Sequence, residues 1–509
     1  MKRSIAYYFF AVLGMVFFLG CQNQSLSGKN KDQPPNIILI YMDDLGYGDV
    51  SAYGATEIHT PHMDRLAHEG LRFTRGYATS ATCSPSRFGI LTGVYPWRNK
   101  DAKILPGTAP LLIDTSMMTL PRMLKQEGYH TGVVGKWHLG LGSGMVDWND
   151  HISPGPNEVG FDYSYIMAAT QDRVPTVYIE NGGVVGLQSD DPIKVSYQKN
   201  FEGEPTGKDN PELLKLEWDH GHDNSIVNGI SRIGFMKGGE KARWVDEEMS
   251  DTFFGKAREY ILSNKDKPFF LYYAMHQPHV PRTPHPRFVG TTDMGPRGDV
   301  IVEADAMIGE LIKTLEEEGI AENTLIIFSS DNGPVVNDGY KDESVERLGD
   351  HTPWGPFRGG KYSLFEAGTR VPFVVYWPGV VEPAVSDAMI CQMDLFASLA
   401  DLAGHDQEYT EKDSENLLDV LLGFSDEGRD ELILEATGRT AFRQGDWVMI
   451  PPYKGPAVNR AVNIELGNSD DYLLYNIKED PGQENNQADD MPDKLKQMIQ
   501  DFERIRGKD

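Results

Sequence analysis

The chain has 509 residues, of which 40% are hydrophobic and 24% charged, with only three cysteines. That balance rules out a disordered or collagen-like chain and a polytopic membrane protein, and leaves too few cysteines for a disulfide scaffold or a cysteine-based zinc site. Acidic residues outnumber basic ones 76 to 48, a formal charge of −28, which argues against nonspecific nucleic-acid binding.

At the start, Lys2 and Arg3 precede an uncharged apolar stretch, Ile5 to Gly20. It is short for a membrane span and has the proportions of a secretory h-region. It ends in Phe18-Leu19-Gly20-Cys21, similar to a bacterial lipoprotein cleavage box with Phe18 in place of the usual Leu. The expectation is a signal peptide over 1–20, a lipid on Cys21, and a polar tether over 21–34. The mature protein is then exported to the periplasm or the outer-membrane surface, touching membrane only through that lipid.

Five apolar, β-rich runs follow: Ile37–Met42, Thr131–Val134, Phe269–Ala274, Thr324–Phe328 and Val371–Trp377. Helical patterns separate them; Ile308, Leu311, Ile312 and Leu315 keep helical spacing and Gly319 supplies a stop. The expected fold is α/β, a large, mostly parallel sheet sandwiched by helices. Beyond about residue 425 the runs shorten to Glu431–Glu435, Thr440–Arg443, Trp447–Ile450 and Tyr472–Asn476. These predict a small antiparallel sheet, with a last helix near Pro492–Arg506. The chain is therefore read as a large domain, 35–425, and a C-terminal α+β subdomain, 426–509.

Ligands of open α/β sheets bind beyond the carboxyl ends of the strands. The first run ends in Asp43-Asp44, the second leads into Gly135-Lys136-Trp137-His138, the third into His276-Gln277-Pro278-His279, and the fourth into Asp331-Asn332-Gly333. Any one of these aspartates could simply cap a turn. As a set, Asp43, Asp44, Asp331 and Asn332 offer three carboxylates and an amide, which suit a hard cation such as Ca²⁺ better than Zn²⁺.

In Cys83-Ser84-Pro85-Ser86-Arg87, Pro85 suits the first position of a helix and Ser84 its N-cap. Cys83 then lies just before a helix N-terminus, where an anion is favoured, and Arg87 adds a positive charge one turn in. Read from the residues alone, Cys83 is a buried small hydrophobe, an anion-site residue or a thiolate nucleophile.

Cys83-Ser-Pro-Ser-Arg87 followed by Leu91-Thr-Gly93 resembles the motif of the formylglycine-dependent sulfatases, members of the alkaline phosphatase-like superfamily. The second family motif is also present, as Gly128-Tyr129, Thr131 and Gly135-Lys136-Trp137-His138. Further similarity runs through Asn36–Asp44, His276–Pro281, Asp331–Pro334 and Lys361–Arg370, and more weakly through Arg443–Trp447 and Leu474–Asn476.

The resemblance implies that Cys83 is oxidised to formylglycine by a formylglycine-generating or anaerobic sulfatase-maturing enzyme. One hydroxyl of the hydrated aldehyde attacks sulfur and the other later expels sulfate. It implies one Ca²⁺ held by Asp43, Asp44, Asp331 and Asn332 with the converted Cys83 beside it. Arg87, Lys136 and Lys361 would grip the sulfate, His138 would handle the diol proton, and His279 would protonate the departing sugar oxygen. His276 would support the site.

The expected substrate is a sulfated glycan, with similarity closer to enzymes acting on 6-O- or 4-O-sulfated galactose-type sugars. Residues 171–243, with Asp172, Arg173, His220, His222, Trp218 and Trp244 within or beside them, would shape the sugar subsites. A phosphatase or phosphodiesterase on the same scaffold would hold two zinc ions and lacks a matching histidine set here. A decayed glycan-binding protein would have lost one of Cys83, Arg87, Lys136, His138 or Lys361, and all are present.

Overall fold

The computed structural model describes residues 34–407 and 412–507. The expected signal peptide and Cys21 lie outside the described residues. No described helix is long and apolar enough to cross a membrane.

The chain forms β1 (Asn36–Asp43), α1 (Pro61–Glu69), β2 (Leu71–Tyr77), α2 (Cys83–Thr92), α3 (Leu120–Gln126), β3 (His130–Lys136), β4 (Tyr163–Met167), β5 (Tyr178–Glu180) and β6 (Gly183–Val184). An irregular stretch carries only the short strands β7 (Lys194–Ser196), β8 (Ile226–Val227), β9 (Ile230–Ser231) and β10 (Phe235–Lys237). Alternation resumes with α4 (Met249–Asn264), β11 (Phe269–Pro278), α5 (Pro296–Glu317), β12 (Thr324–Ser330), β13 (Phe373–Tyr376), β14 (Ala384–Cys391), α6 (Leu395–Leu402) and α7 (Leu418–Leu421). The chain closes with β15 (Glu431–Ala436), β16 (Arg439–Gln444), β17 (Trp447–Ile450), β18 (Val458–Asn459), β19 (Ile464–Glu465), β20 (Leu473–Asn476) and α8 (Pro492–Arg506).

Ten strands build one sheet in the order β14-β2-β13-β12-β1-β11-β3-β4-β5-β6. Its middle, β12-β1-β11-β3-β4, is parallel throughout, and antiparallel pairs flank it. The reason β1 reads as an unbroken apolar run is visible in its two faces. Ile37, Leu39 and Tyr41 enter the core that includes residues of α2, α3 and α6. Ile38, Ile40 and Met42 enter the opposite core, with residues of α1, α4 and α5. With both faces covered, every side chain of the strand is buried. Each such aliphatic residue contributes roughly 1.5–3 kcal/mol by leaving water.

All five expected strands and the helix ended by Gly319 are present; α5 stops at Glu317 and Gly319 takes the left-handed φ of 68°. Strands β2, β4 and β14 are additions to the sequence reading. In β2, Arg72, Thr74 and Arg75 interrupt the apolar pattern, and β14 is an edge strand with Val385 exposed.

The C-terminal strands form an antiparallel sheet, β15-β16-β17-β20, and Met498 of α8 is buried in the same cluster as Phe442 and Met449. Gly445 and Asp446 make the tight turn between β16 and β17, Gly445 with φ 58°. This sheet is bolted to the large one through Glu366, whose Oε1 accepts from Tyr77 Oη at 2.5 Å, Arg370 at 2.5 Å and Arg443 at 2.6 Å. All four side chains are buried, and Arg443 lies over the Tyr77 ring.

Candidate active site

Strands β12, β1, β11 and β3 are consecutive neighbours and parallel, so their carboxyl ends meet along one edge of the sheet. Those ends deliver Asp331 and Asn332, Asp43 and Asp44, His279, and Lys136 and His138 to one place. Asp44 and His138 leave their strands with φ of 66° and 52°, a left-handed bend that turns each side chain away from the strand's path. Along β1 the two-residue period places Asp43 on the face of Tyr41, the face α2 covers.

Helix α2 begins two residues earlier than its sequence suggests. Its first residue is Cys83 and its N-cap is Thr82, in place of Pro85 and Ser84. Pro85 is still tolerated because first-turn N–H groups have no intrahelical acceptor to lose. The Thr82 hydroxyl is hydrogen-bonded to Ser80 Oγ at 2.9 Å and does not cap the helix. Cys83 is buried, and burial pushes its thiol up to about 12 despite the pull of Lys136 and Lys361. The unmodified thiol is therefore a poor nucleophile at neutral pH. Its sulfur and one oxygen each of Asp43, Asp44 and Asp331 all lie within 4.8 Å of one another.

Three cations neutralise these three carboxylates inside the protein. Arg87 donates from Nε at 3.0 Å and Nη2 at 2.7 Å to Asp331 Oδ2. Lys136 Nζ lies 2.7 Å from both oxygens of Asp43. Lys361 Nζ donates to Asp44 Oδ2 at 2.8 Å and to Asp338 Oδ2 at 3.3 Å. Burial lifts Asp43 to about 6, against the opposing charge of Lys136. Burial opposes ionisation of Asp44 too, but Lys361 and His279 hold it well below the usual carboxylate range.

The donor set fits a hard cation. Asn332 Nδ2 is spent on Asp44 Oδ1 at 2.7 Å and Gly333 O at 2.9 Å, which leaves Asn332 Oδ1 buried with no hydrogen-bond partner. An orphaned buried carbonyl beside carboxylates is costly unless a cation takes it up. The six side chains balance in charge and Asp338, the second partner of Lys361, adds one negative, so a divalent ion would leave this cluster net positive within an acidic protein.

The two histidines have fixed tautomers. His138 Nε2 lies 2.9 Å from Leu105 O, so it carries the hydrogen and leaves Nδ1 as the lone pair, buried and without a partner. Burial, reinforced by Lys136, holds His138 well below the ordinary histidine range, so the ring is neutral. His279 Nδ1 donates to Val280 O at 2.7 Å, and its Nε2 lies 3.8 Å from Asp44 Oδ2.

A cavity of about 220 Å³ opens on this cluster, lined by Cys83, His138, His279 and Lys361. Its outer wall includes Asp172, Arg173, His220 and His222 from the irregular stretch, together with Asp338, Tyr362 and the hairpin residues Asn459, Ala461 and Val462. His222 Nε2 bonds Asp172 Oδ2 at 2.9 Å and Arg173 Nη1 bonds Thr170 Oγ1 at 2.6 Å, so this wall is braced.

Trp218 and Trp244 do not reach the cavity: their indole N–H groups go to Gly207 O at 3.1 Å and Asp246 Oδ1 at 3.3 Å. His276 also lies off it, packed on Phe253 and pushed down to about 3 by burial. Asp338 and the 459–462 hairpin were not singled out in the sequence. Asp338 follows the Asp331 strand end by only seven residues and could have been flagged; the hairpin carries no chemical motif.

The sulfatase family profile matches residues 35–405. An N-acetylgalactosamine-6-O-sulfatase of Bacteroides thetaiotaomicron is 48% identical over 498 residues, covering 97% of each chain. Human arylsulfatase A is 30% identical over 477 residues, 89% of this chain and 83% of the human protein. A solved Bacteroides thetaiotaomicron structure, described with the metabolism of multiple glycosaminoglycans, superposes with a TM-score of 0.92 at 49% identity, covering 93% of this chain and all of that one. The chain belongs to the sulfatase family and is a sulfuric ester hydrolase.

Proposed function

We propose that this enzyme removes the 6-O-sulfate of N-acetylgalactosamine-type sugars in sulfated glycosaminoglycan fragments. The observation that carries the mechanism is the meeting of Cys83, which lines the cavity, with three buried carboxylates, one of which is bonded by Asn332, whose own side-chain oxygen is orphaned. The substrate is carried by the relative 48% identical over 97% of the chain.

In this reading Cys83, matured by a formylglycine-generating or anaerobic sulfatase-maturing enzyme, supplies an aldehyde hydrate with one hydroxyl to attack sulfur and one to release sulfate. Asp43, Asp44, Asp331 and Asn332 would hold a calcium ion, which would supply positive charge to stabilise the sulfate's developing charge. Arg87 and Lys136 fix Asp331 and Asp43, and Lys361 sits where it can also meet a sulfate oxygen. His138 Nδ1, the free lone pair of a neutral ring, is placed to accept a hydroxyl proton. His279, whose Nδ1 is held by Val280 O, lines the cavity and is the group that would pass a proton to the leaving sugar oxygen. Asp172, Arg173 and His222 face the sugar.

We read 35–425 as the catalytic portion and 426–509 as a subdomain whose hairpin completes the wall, with export and a lipid on Cys21 as the cellular setting.

Mass spectrometry of the peptide containing Cys83, after co-expression with a maturing enzyme, should show loss of the thiol mass and gain of an aldehyde. Matured protein should release sulfate from N-acetylgalactosamine 6-sulfate faster than from the 4-sulfate. An unmodified thiol in active enzyme defeats the mechanism; a preference for the 4-sulfate defeats the position.

A further inference from the structure

We infer that Asp49, with Arg297 and His351, is a positioning group that sets the spacing of the metal-donor pairs Asp43–Asp44 and Asp331–Asn332, and thereby the affinity of the site for its cation. The inference rests on the metal reading above.

Asp49 carries no exposed surface and lies outside the catalytic cavity. Its carboxylate accepts four hydrogen bonds. Arg297 reaches both oxygens, Nη1 at 2.7 Å and Nη2 at 2.6 Å; His351 Nε2 lies 2.8 Å from Oδ1; and the N–H of Gly46 donates to Oδ2 at 2.8 Å. Arg297 and His351 are buried as well. Although burial opposes its charge, Arg297 and His351 hold Asp49 well below the ordinary carboxylate range. Three separate stretches converge here: the turn that follows Asp43-Asp44, the first residues of the 22-residue α5, and the segment before Pro353.

The bond to Gly46 is the link to the metal donors. Gly46 lies two residues past Asp44, and its backbone is pressed against both Pro353 and Pro334. A Cβ there would sit 2.1 Å from Pro353 O and 2.8 Å from the Pro334 ring. Pro334 lies two residues past Asn332. Gly48 repeats the contact: its N–H donates to Pro353 O at 2.8 Å, and a Cβ would meet Thr352 O at 2.0 Å. Asp49 thus ties the turn after β1 to α5 and to the 351–353 segment, and Gly46, the residue it holds, packs on Pro334 in the turn after β12; each turn carries one donor pair. A long, packed helix anchors the clamp through Arg297. Partners bonded directly to metal ligands are worth about 10–100-fold in affinity; Asp49 acts one step further back, through Gly46, which places it at the lower end of that range.

The test is calorimetric titration of metal-stripped full-length protein with calcium chloride, alongside circular dichroism and a metal-free melt. His351→Ala should weaken binding about 10-fold, the lower end of what partners behind metal ligands contribute, while the far-ultraviolet spectrum is kept. His351→Gln restores a donor to Asp49 and should recover most of the affinity, which a general packing loss would not. Should His351→Ala fail to fold, Arg297→Lys, which keeps the charge and loses the fork, gives the same reading. A folded variant that binds calcium as tightly as the parent overturns the proposal. If the parent itself binds no calcium, the metal assignment has failed instead. The clamp is then read from amide exchange at Gly46 and Gly48, and unchanged protection in His351→Ala overturns it.

Discussion

His138 Nε2 is 2.9 Å from the carbonyl oxygen of Leu105, and this single contact decides which ring nitrogen can do chemistry. The hydrogen is held on Nε2, so Nδ1 is the only lone pair available. Replacing His138 with Ala should lower kcat by about 10²–10⁴, the usual worth of a positioned acid or base, with a much smaller change in KM. Steady-state kinetics on a small sulfate ester checks this; a variant with unaltered kcat removes His138 from the proton path.

Lys136 and Asp43 form a pair with no exposed surface. Removing one member of such a pair strands a buried charge, at a cost of roughly 3–5 kcal/mol. Lys136→Ala should therefore lower both the metal-free melting temperature and turnover. Lys136→Arg keeps the charge and its fork can still pair both Asp43 oxygens, so it should recover much of the melting temperature, while its bulkier planar head in a site with no exposed surface should keep turnover low. Melts and kcat on matured protein read the two effects separately.

Glu303, on the buried side of α5, gives a stability prediction with an unusual sign. Burial raises its carboxyl from the ordinary 4.5 to about 7, only partly offset by the His285 N–H. The folded protein then binds a proton that the unfolded chain has already released between pH 4.5 and 7. Folding is favoured below that window and loses stability as pH rises through it, by an amount on the order of 2–3 kcal/mol. Glu303→Gln has no proton to lose, so its stability relative to the parent should climb from pH 5 to pH 8. Urea midpoints at several pH values test it; a constant difference between the two proteins refutes it.

Arg443 is the arm by which the small sheet grips the large one through Glu366. Arg443→Ala should cost about 1.5–3 kcal/mol and lower the melting temperature, because Glu366 loses one of three buried donors. Removing Lys313 from its exposed pair with Glu310 should cost under about 1 kcal/mol. Equal losses for the two variants would mean that Glu366 is satisfied by Tyr77 and Arg370 alone.

Much of the site was legible because chemistry and periodicity coincide at strand ends. The apolar runs before Asp43, Lys136 and Asp331 mark buried parallel strands, and the polar residues that follow mark the ligand edge. The start of α2 was misplaced for a local reason: Ser84 and Pro85 look like a cap and a first residue, but the backbone is already helical at Cys83, and Thr82 takes the cap position. Strands β2 and β14 were missed because an edge or a partly exposed strand can carry arginine, aspartate and serine without the apolar rhythm that a covered strand must keep.

The linear order of residues by itself determined the family, the alternating α/β plan, and the residue types that floor the cavity, because each is written in short contiguous stretches. Only the folded chain decided which lysine faces which aspartate, that Asp338 and the 459–462 hairpin close the cavity, and that Asp49 meets Arg297 and His351. Those partners lie tens to hundreds of residues apart. Pairing over such separations is set by sheet order and helix packing, where burial penalises any charge left without its opposite, and no local pattern records it.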